Sequence, residues 1–121
     1  MTRTRASAKA AATSFESKIV AYLADVLGDD RIERRRLSGA NDRGDVTGLR
    51  VWGKRAVLEC KDYGGRVEVG PWLNEAEIER LNDDAEFAAV VAKRRGTTKP
   101  GEQIVILTLA DFAYLVSGQR P

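Results

Sequence analysis

The chain has no histidine and only one cysteine, Cys60, among its 121 residues. Without histidine the common general base is missing, and so are Ser-His-Asp or Cys-His nucleophile systems and the usual zinc ligand sets. One cysteine leaves no intramolecular disulfide. No apolar run approaches the roughly 18 residues of a membrane-spanning helix, so no membrane association is expected. The amino-terminal stretch MTRTRASAKAAATS is basic but lacks an apolar core, so it does not read as a secretory signal. Any chemistry must therefore run on carboxylates, lysines and a hard metal ion held through oxygen.

What is present describes one globular domain. Apolar residues make up 43% and charged residues 31%, enough for a core without covalent staples. The net charge of +2 conceals a strong segregation. Residues 31–66 carry ten Lys/Arg against five Asp/Glu, whereas residues 74–86 carry six acids and one Arg. Lys93, Arg94, Arg95 and Lys99 then add four cations within eight residues. A basic sector beside an acidic cluster suits a polyanion-binding surface, and it also suits an ordinary solvated exterior.

The hydropathy pattern predicts residues 1–12 as a flexible basic arm and 13–121 as a single domain. Residues 13–27 have helical spacing closed by Gly28, and 31–38, 45–52 and 55–63 read as strands. A helix follows Pro71, with Leu73, Ile78 and Leu81 as its apolar face. Residues 87–94 and 103–109 are continuous apolar runs of the kind found in strands buried on both faces. A short last helix follows Thr108 as N-cap and stops at Gly118. The fold expected is α/β, a mixed sheet in the order α-β-β-β-α-β-β-α flanked by helices.

Within this frame the stretch VLECKDYGG, residues 57–65, is unusual. Strand alternation puts Val57, Glu59 and Lys61 on one face and Leu58 and Cys60 on the other, which makes Cys60 ordinary core. If Trp52-Gly53-Lys54 is a three-residue loop, Asp45 lies opposite Lys61 and Thr47 opposite Glu59, all on one face. A two-residue Gly53-Lys54 turn would send Asp45 to the other face. The three-residue loop is the expectation. Asp45 and Glu59 could then hold Mg²⁺ or Mn²⁺ through hard oxygens, and Lys61 could orient or deprotonate a water or stabilise charge on a phosphoryl group. Glu16 reads in two ways. It completes a capping box with Thr13, and at about 100° per residue it also falls between Leu23 and Leu27 on the apolar stripe. There it would need a partner such as a metal or Lys61.

Gly44-Asp45, thirteen residues and then Glu59-Cys60-Lys61 resembles the PD-(D/E)XK, restriction-endonuclease-like nuclease superfamily. The order Glu16, Ser38-Gly39, Asp45, Glu59, Lys61 is most similar to archaeal-type Holliday-junction resolvases and related phage nucleases. The resemblance covers roughly residues 13–95. Two departures stand out: Gly44 occupies the place of the motif's proline, and the helix after Lys61 offers only Asn74 or Glu75 where a glutamine is common. The resemblance implies a restriction-endonuclease-like sheet and a Mg²⁺-dependent endonuclease acting on branched DNA, with Asp45, Glu59 and Glu16 at the metal. It further implies a homodimer, while the small size and Ala/Arg-rich character suit a cytoplasmic protein of prokaryotic (actinobacterial) or phage origin. Arg34, Arg35, Arg36, Ser38, Arg43, Lys93, Arg94 and Arg95 would contact DNA. Trp52 and Trp72 read mainly as core, with base stacking or dimer packing as the alternative. Two other functions remain open at this point: a non-catalytic DNA-binding module with the same fold, and a protein-interaction domain using the acidic helix.

Overall fold

A computed structural model of the chain describes residues 3–35 and 44–121. Its first element, α1 (Arg5–Leu27), starts eight residues before the expected helix. The run of alanines after Arg5 has the highest helix propensity available, and Thr4 caps it by accepting the Ser7 N–H at 3.0 Å. Most of the segment read as an arm is therefore helical. Thr13 lies inside α1, where its carbonyl accepts the Ser17 hydroxyl, so it caps nothing and the capping-box reading of Glu16 fails. At the other end Gly28 takes a left-handed conformation and Asp29 N–H donates to Ala24 O, which closes the helix.

Strands β1 (Glu33–Arg34) and β2 (Val46–Thr47) form a small antiparallel pair. The main sheet has the order β3-β4-β5-β6, with β3 (Arg50–Val51), β4 (Lys54–Lys61), β5 (Phe87–Ala92) and β6 (Ile104–Ile106). β4 and β5 run parallel and the outer pairings are antiparallel. Helix α2 (Val69–Asn82) makes the crossover between the parallel strands, as such a pair requires. Helix α3 (Leu109–Ser117) ends the chain's fold, with Thr108 as N-cap and Gly118 as C-cap, as its sequence predicts.

The two central strands divide the core. Leu58 and Cys60 face Phe15 and Ile19 of α1, while Tyr114 of α3 joins the same cluster. Val57, Ala88 and Val90 face Trp72 and Ala76 of α2. Every residue of β5 is buried, as its unbroken apolar run implies. The architecture is thus mixed α/β: three helices, a four-stranded mixed sheet and a small second sheet. No helix among the described residues is long and apolar enough to cross a membrane.

Two expectations fail in this region. The β3–β4 hairpin turns on two residues, Trp52 and Gly53, so Val51 pairs with Lys54 and Arg50 with Arg55. Both turn residues have positive φ, 56° and 74°, the signature of a type I′ turn. The expected register, with Asp45 opposite Lys61 and Thr47 opposite Glu59, does not form. Thr47 instead pairs with Glu33. The expected strand 45–52 also breaks at Gly48. That residue has φ +85°, and a Cβ there would lie 1.9 Å from the Arg31 carbonyl oxygen, so only glycine permits the crossing.

These local geometries differ in what they tolerate. Gly48→Ala is expected to cost more than about 3 kcal/mol, because strained φ and a backbone collision combine. Gly53→Ala has positive φ but open space, and is expected to cost about 1–2 kcal/mol. Denaturant unfolding of the two variants compares them directly. Equal losses would mean that the close approach at Gly48 constrains nothing.

Candidate active site

The carboxyl-terminal half of β4 has β5 on one side and no regular strand on the other. Asp45 takes the missing strand's place. Its N–H donates to Leu58 O at 3.2 Å, and its carboxylate Oδ2 accepts the Cys60 N–H at 2.8 Å. Gly44 makes this approach possible, since a Cβ there would lie 2.9 Å from Val57 Cγ1 and its φ is +92°. Proline, with φ fixed near −65°, is impossible at that angle, which accounts physically for the Gly-Asp pair.

Asp45 thereby reaches the side chains expected to join it, through the strand edge and not through the cross-strand register. Its carboxyl group lines the same depression as those of Glu16 and Glu59 and is near enough to push the pKa of both upward. Glu16 comes from α1, on one face of the sheet, and Glu59 points to the α2 face, where it meets Glu79. The Lys61 ammonium lies 2.8 Å from Glu75 Oε2 and 3.7 Å from Glu59 Oε1. Glu16, Asp45, Glu59 and Lys61 all line one open depression of about 750 Å³. Arg3, Lys9 and Arg66 stand around it, so the amino-terminal turns of α1 form part of its wall.

Burial dominates the electrostatics. Glu59 is 5% exposed. Desolvation first, and then the adjoining carboxyl groups of Glu79 and Asp45, push its pKa up to about 12. Glu16 is also raised, by burial first and the Asp45 charge second, with Arg34 opposing at 3.2 Å. Burial alone would lower the Lys61 pKa, but the Glu75 hydrogen bond and the charges of Glu59 and Glu75 outweigh it, and the net direction is up. Lys61 is therefore a stable ammonium and not a neutral base. Burial and the surrounding acids push the Cys60 thiol up as well, which leaves it inert core.

The other expected contacts disperse. Arg34 stands beside Glu16, whereas Arg35 pairs with Asp83 at 3.3 Å. Lys93 donates to the carbonyls of Arg94 and Thr97, so its ammonium holds a turn together. Arg94 reaches the Glu102 carbonyl, and Arg95 packs against Gly65. Arg36, Ser38 and Arg43 lie outside the described residues. Trp72 is core, and Trp52 is exposed at the hairpin tip, donating its Nε1–H to Leu115 O at 3.0 Å.

The clearest omission from the sequence reading is on α2. The expected apolar face is turned outward: Ile78 and Leu81 are exposed, while Trp72, Ala76 and Glu79 are buried. Glu59, Glu75 and Glu79 each offer a carboxylate oxygen, and these oxygens all lie within 4.8 Å of one another. The spacing 72, 76, 79 is itself a helical stripe. Taking Trp72 as its anchor would have exposed the inward acids. No family model matches this chain, and neither does any curated protein or solved structure.

The raised carboxyl groups give stability a pH signature without metal. A group whose folded pKa exceeds its unfolded value near 4.5 keeps its proton in the folded state only. The folded state then binds more protons, so stability falls as pH rises above that value, by about 1.4 kcal/mol per pH unit for one such group. The depressed carboxyl groups, Asp29 and Glu77, act below this range. Thermal unfolding in EDTA is expected to show a Tm that declines from pH 5 to pH 9, and Glu59→Gln is expected to raise Tm at pH 8. A flat native profile, or a variant less stable than the native chain at pH 8, would refute the assigned proton.

Proposed function

We propose that the protein is a Mg²⁺-dependent endonuclease that hydrolyses phosphodiester bonds in DNA, with branched DNA of the Holliday-junction type as its substrate. The single observation that carries this reading is that Glu16, Asp45, Glu59 and the Lys61 ammonium, brought from separate elements, line one open depression. A mixed sheet with helices on both faces, and a Gly-Asp…Glu-x-Lys order placed at its open edge, support a restriction-endonuclease-like fold.

The donor set suits a hard divalent cation. All the acids are oxygen donors, and Glu59 both lines the depression with Asp45 and Glu16 and belongs to the close trio with Glu75 and Glu79. A carboxyl group held protonated by neighbouring acids is one that a cation would deprotonate and stabilise. Asp45 and Glu59 would hold the ion, with Glu16 assisting. When bound, Mg²⁺ or Mn²⁺ supplies polarisation of the phosphoryl oxygen and a water of lowered pKa. Asp45 is fixed for its part by the Cys60 N–H, which sets the direction of its free oxygen. Lys61, charged and steadied by Glu75, stabilises negative charge developing on the phosphoryl group and does not abstract the proton. Lys9 at the rim, with Arg3 and Arg66 paired to Asp62 and Glu68, would meet the phosphates of an approaching strand.

A labelled four-way junction is expected to be cleaved with Mg²⁺, and linear duplex more slowly. Glu59→Gln and Lys61→Ala are each expected to lower the cleavage rate by at least about a hundredfold, with binding in EDTA retained. Binding with no cleavage under Mg²⁺ or Mn²⁺ would leave a DNA-binding module. Absence of salt-dependent DNA affinity would remove both readings.

The proposed enzyme acts as a homodimer, and α3 favours this assembly. Leu109 is 82% exposed, Val116 66% and Phe112 52%, and at spacings of three and four they share one face. Leu115 and Trp52, also exposed, extend this apolar surface. A two-fold contact would bury this face against its own copy. No charged side chain lies on that face of α3, because its one acid, Asp111, is buried. An equally uncharged surface, such as a second copy, complements it best. Sedimentation is expected to show a dimer at micromolar concentration and a monomer for Phe112→Glu. A monomeric native chain would contradict the assembly.

A further inference from the structure

Away from the acidic depression, a second pocket of about 240 Å³ opens between β1, the β2–β3 segment and the carboxyl end of α2. Among the described residues three arginines line it, Arg35, Arg50 and Arg55, with Asp83 as the one acid. Part of this cluster has a structural duty. Asp83 caps the carboxyl end of α2, where a negative charge is unfavourable. Arg35 neutralises its carboxylate at 3.3 Å, and Arg55 donates to its carbonyl at 3.1 Å.

That duty leaves donors unused. The Arg35 Nε–H is buried and has no acceptor, an arrangement that calls for an absent water or anion. Arg50 is exposed and forms no ion pair among the described residues. Three guanidinium groups against one carboxylate leave two positive charges around a polar concavity large enough for a phosphoryl group and a few waters. Guanidinium groups bind phosphoryl oxygens through paired, charge-assisted hydrogen bonds.

We infer that this pocket binds a phosphate group of a nucleic-acid strand, held by Arg50, Arg55 and the free edge of Arg35. Arg55 precedes Glu59 by four residues on β4, so the pocket lies about 13 Å from the acidic site along the strand. Resting on the nuclease reading, the pocket anchors the substrate backbone at a fixed distance from the bond to be cut and fixes its direction across the sheet.

The test uses the full chain in EDTA, so that no cleavage is needed. Inorganic phosphate at millimolar concentration is expected to shift the Arg35 Nε–H resonance, and Arg50→Gln, an exposed change that leaves the Asp83 contacts intact, is expected to abolish the shift. The same variant is expected to weaken binding of a four-way junction three- to tenfold and to reduce the slope of log K against log salt by about one. A shift without any change in DNA affinity would overturn the strand assignment in favour of a free phosphate. No shift and an unchanged salt slope would overturn the pocket itself. If the protein binds DNA through this pocket but never cleaves it, the nuclease reading fails alone.

Discussion

The arrangement depends on a carboxylic acid held inside the protein. Glu59 occupies a strand position with the same burial as its apolar neighbours Val57 and Leu58. A carboxylate there would lose several kcal/mol of hydration. The surrounding groups do not remove that cost, because its neighbours Asp45 and Glu79 are also acids. Such a cluster resists ionisation unless positive charge enters it. Among the described residues the only cation at ion-pair distance from Glu59 is Lys61, at 3.7 Å, and Lys61 sits closer to Glu75.

Two structural compromises follow from placing acids around β4. Helix α2 turns Glu79 inward beside Trp72 and Ala76 and leaves Ile78 and Leu81 in solvent, a reversal of simple amphipathic order. The sheet gives up a regular partner for the carboxyl half of β4, and Asp45 satisfies the exposed edge with one main-chain donor and one side-chain acceptor. Gly44 and Gly48 make that substitution possible through backbone angles and approaches closed to other residues.

The opposite side of the sheet follows ordinary packing. Phe15 and Ile19 of α1 and Tyr114 of α3 fill the space above Leu58 and Cys60. Asp111, though buried, is satisfied: it accepts the Ala88 N–H, pairs with Arg120 and joins the Thr108 cap. The contrast is instructive. A structural buried acid gathers donors around it, whereas Glu59 gathers acids.

Strand alternation alone set Glu59 and Lys61 on one face and Cys60 on the other, because a period of two holds wherever a strand forms. The apolar run 87–92, the Thr108 cap and the Gly28 and Gly118 stops were equally legible, since each acts through local backbone chemistry. The hairpin register was not. Trp52 takes a left-handed conformation while its indole N–H is bound to Leu115 O, a contact 63 residues away that local sequence does not reveal. The inward face of α2 was also hidden, because its periodicity supports two stripes and only packing of Trp72 against the sheet chooses between them. Tertiary contact likewise decided how Asp45 meets its partners, since a side chain bonded to a strand edge leaves no periodic trace in the sequence.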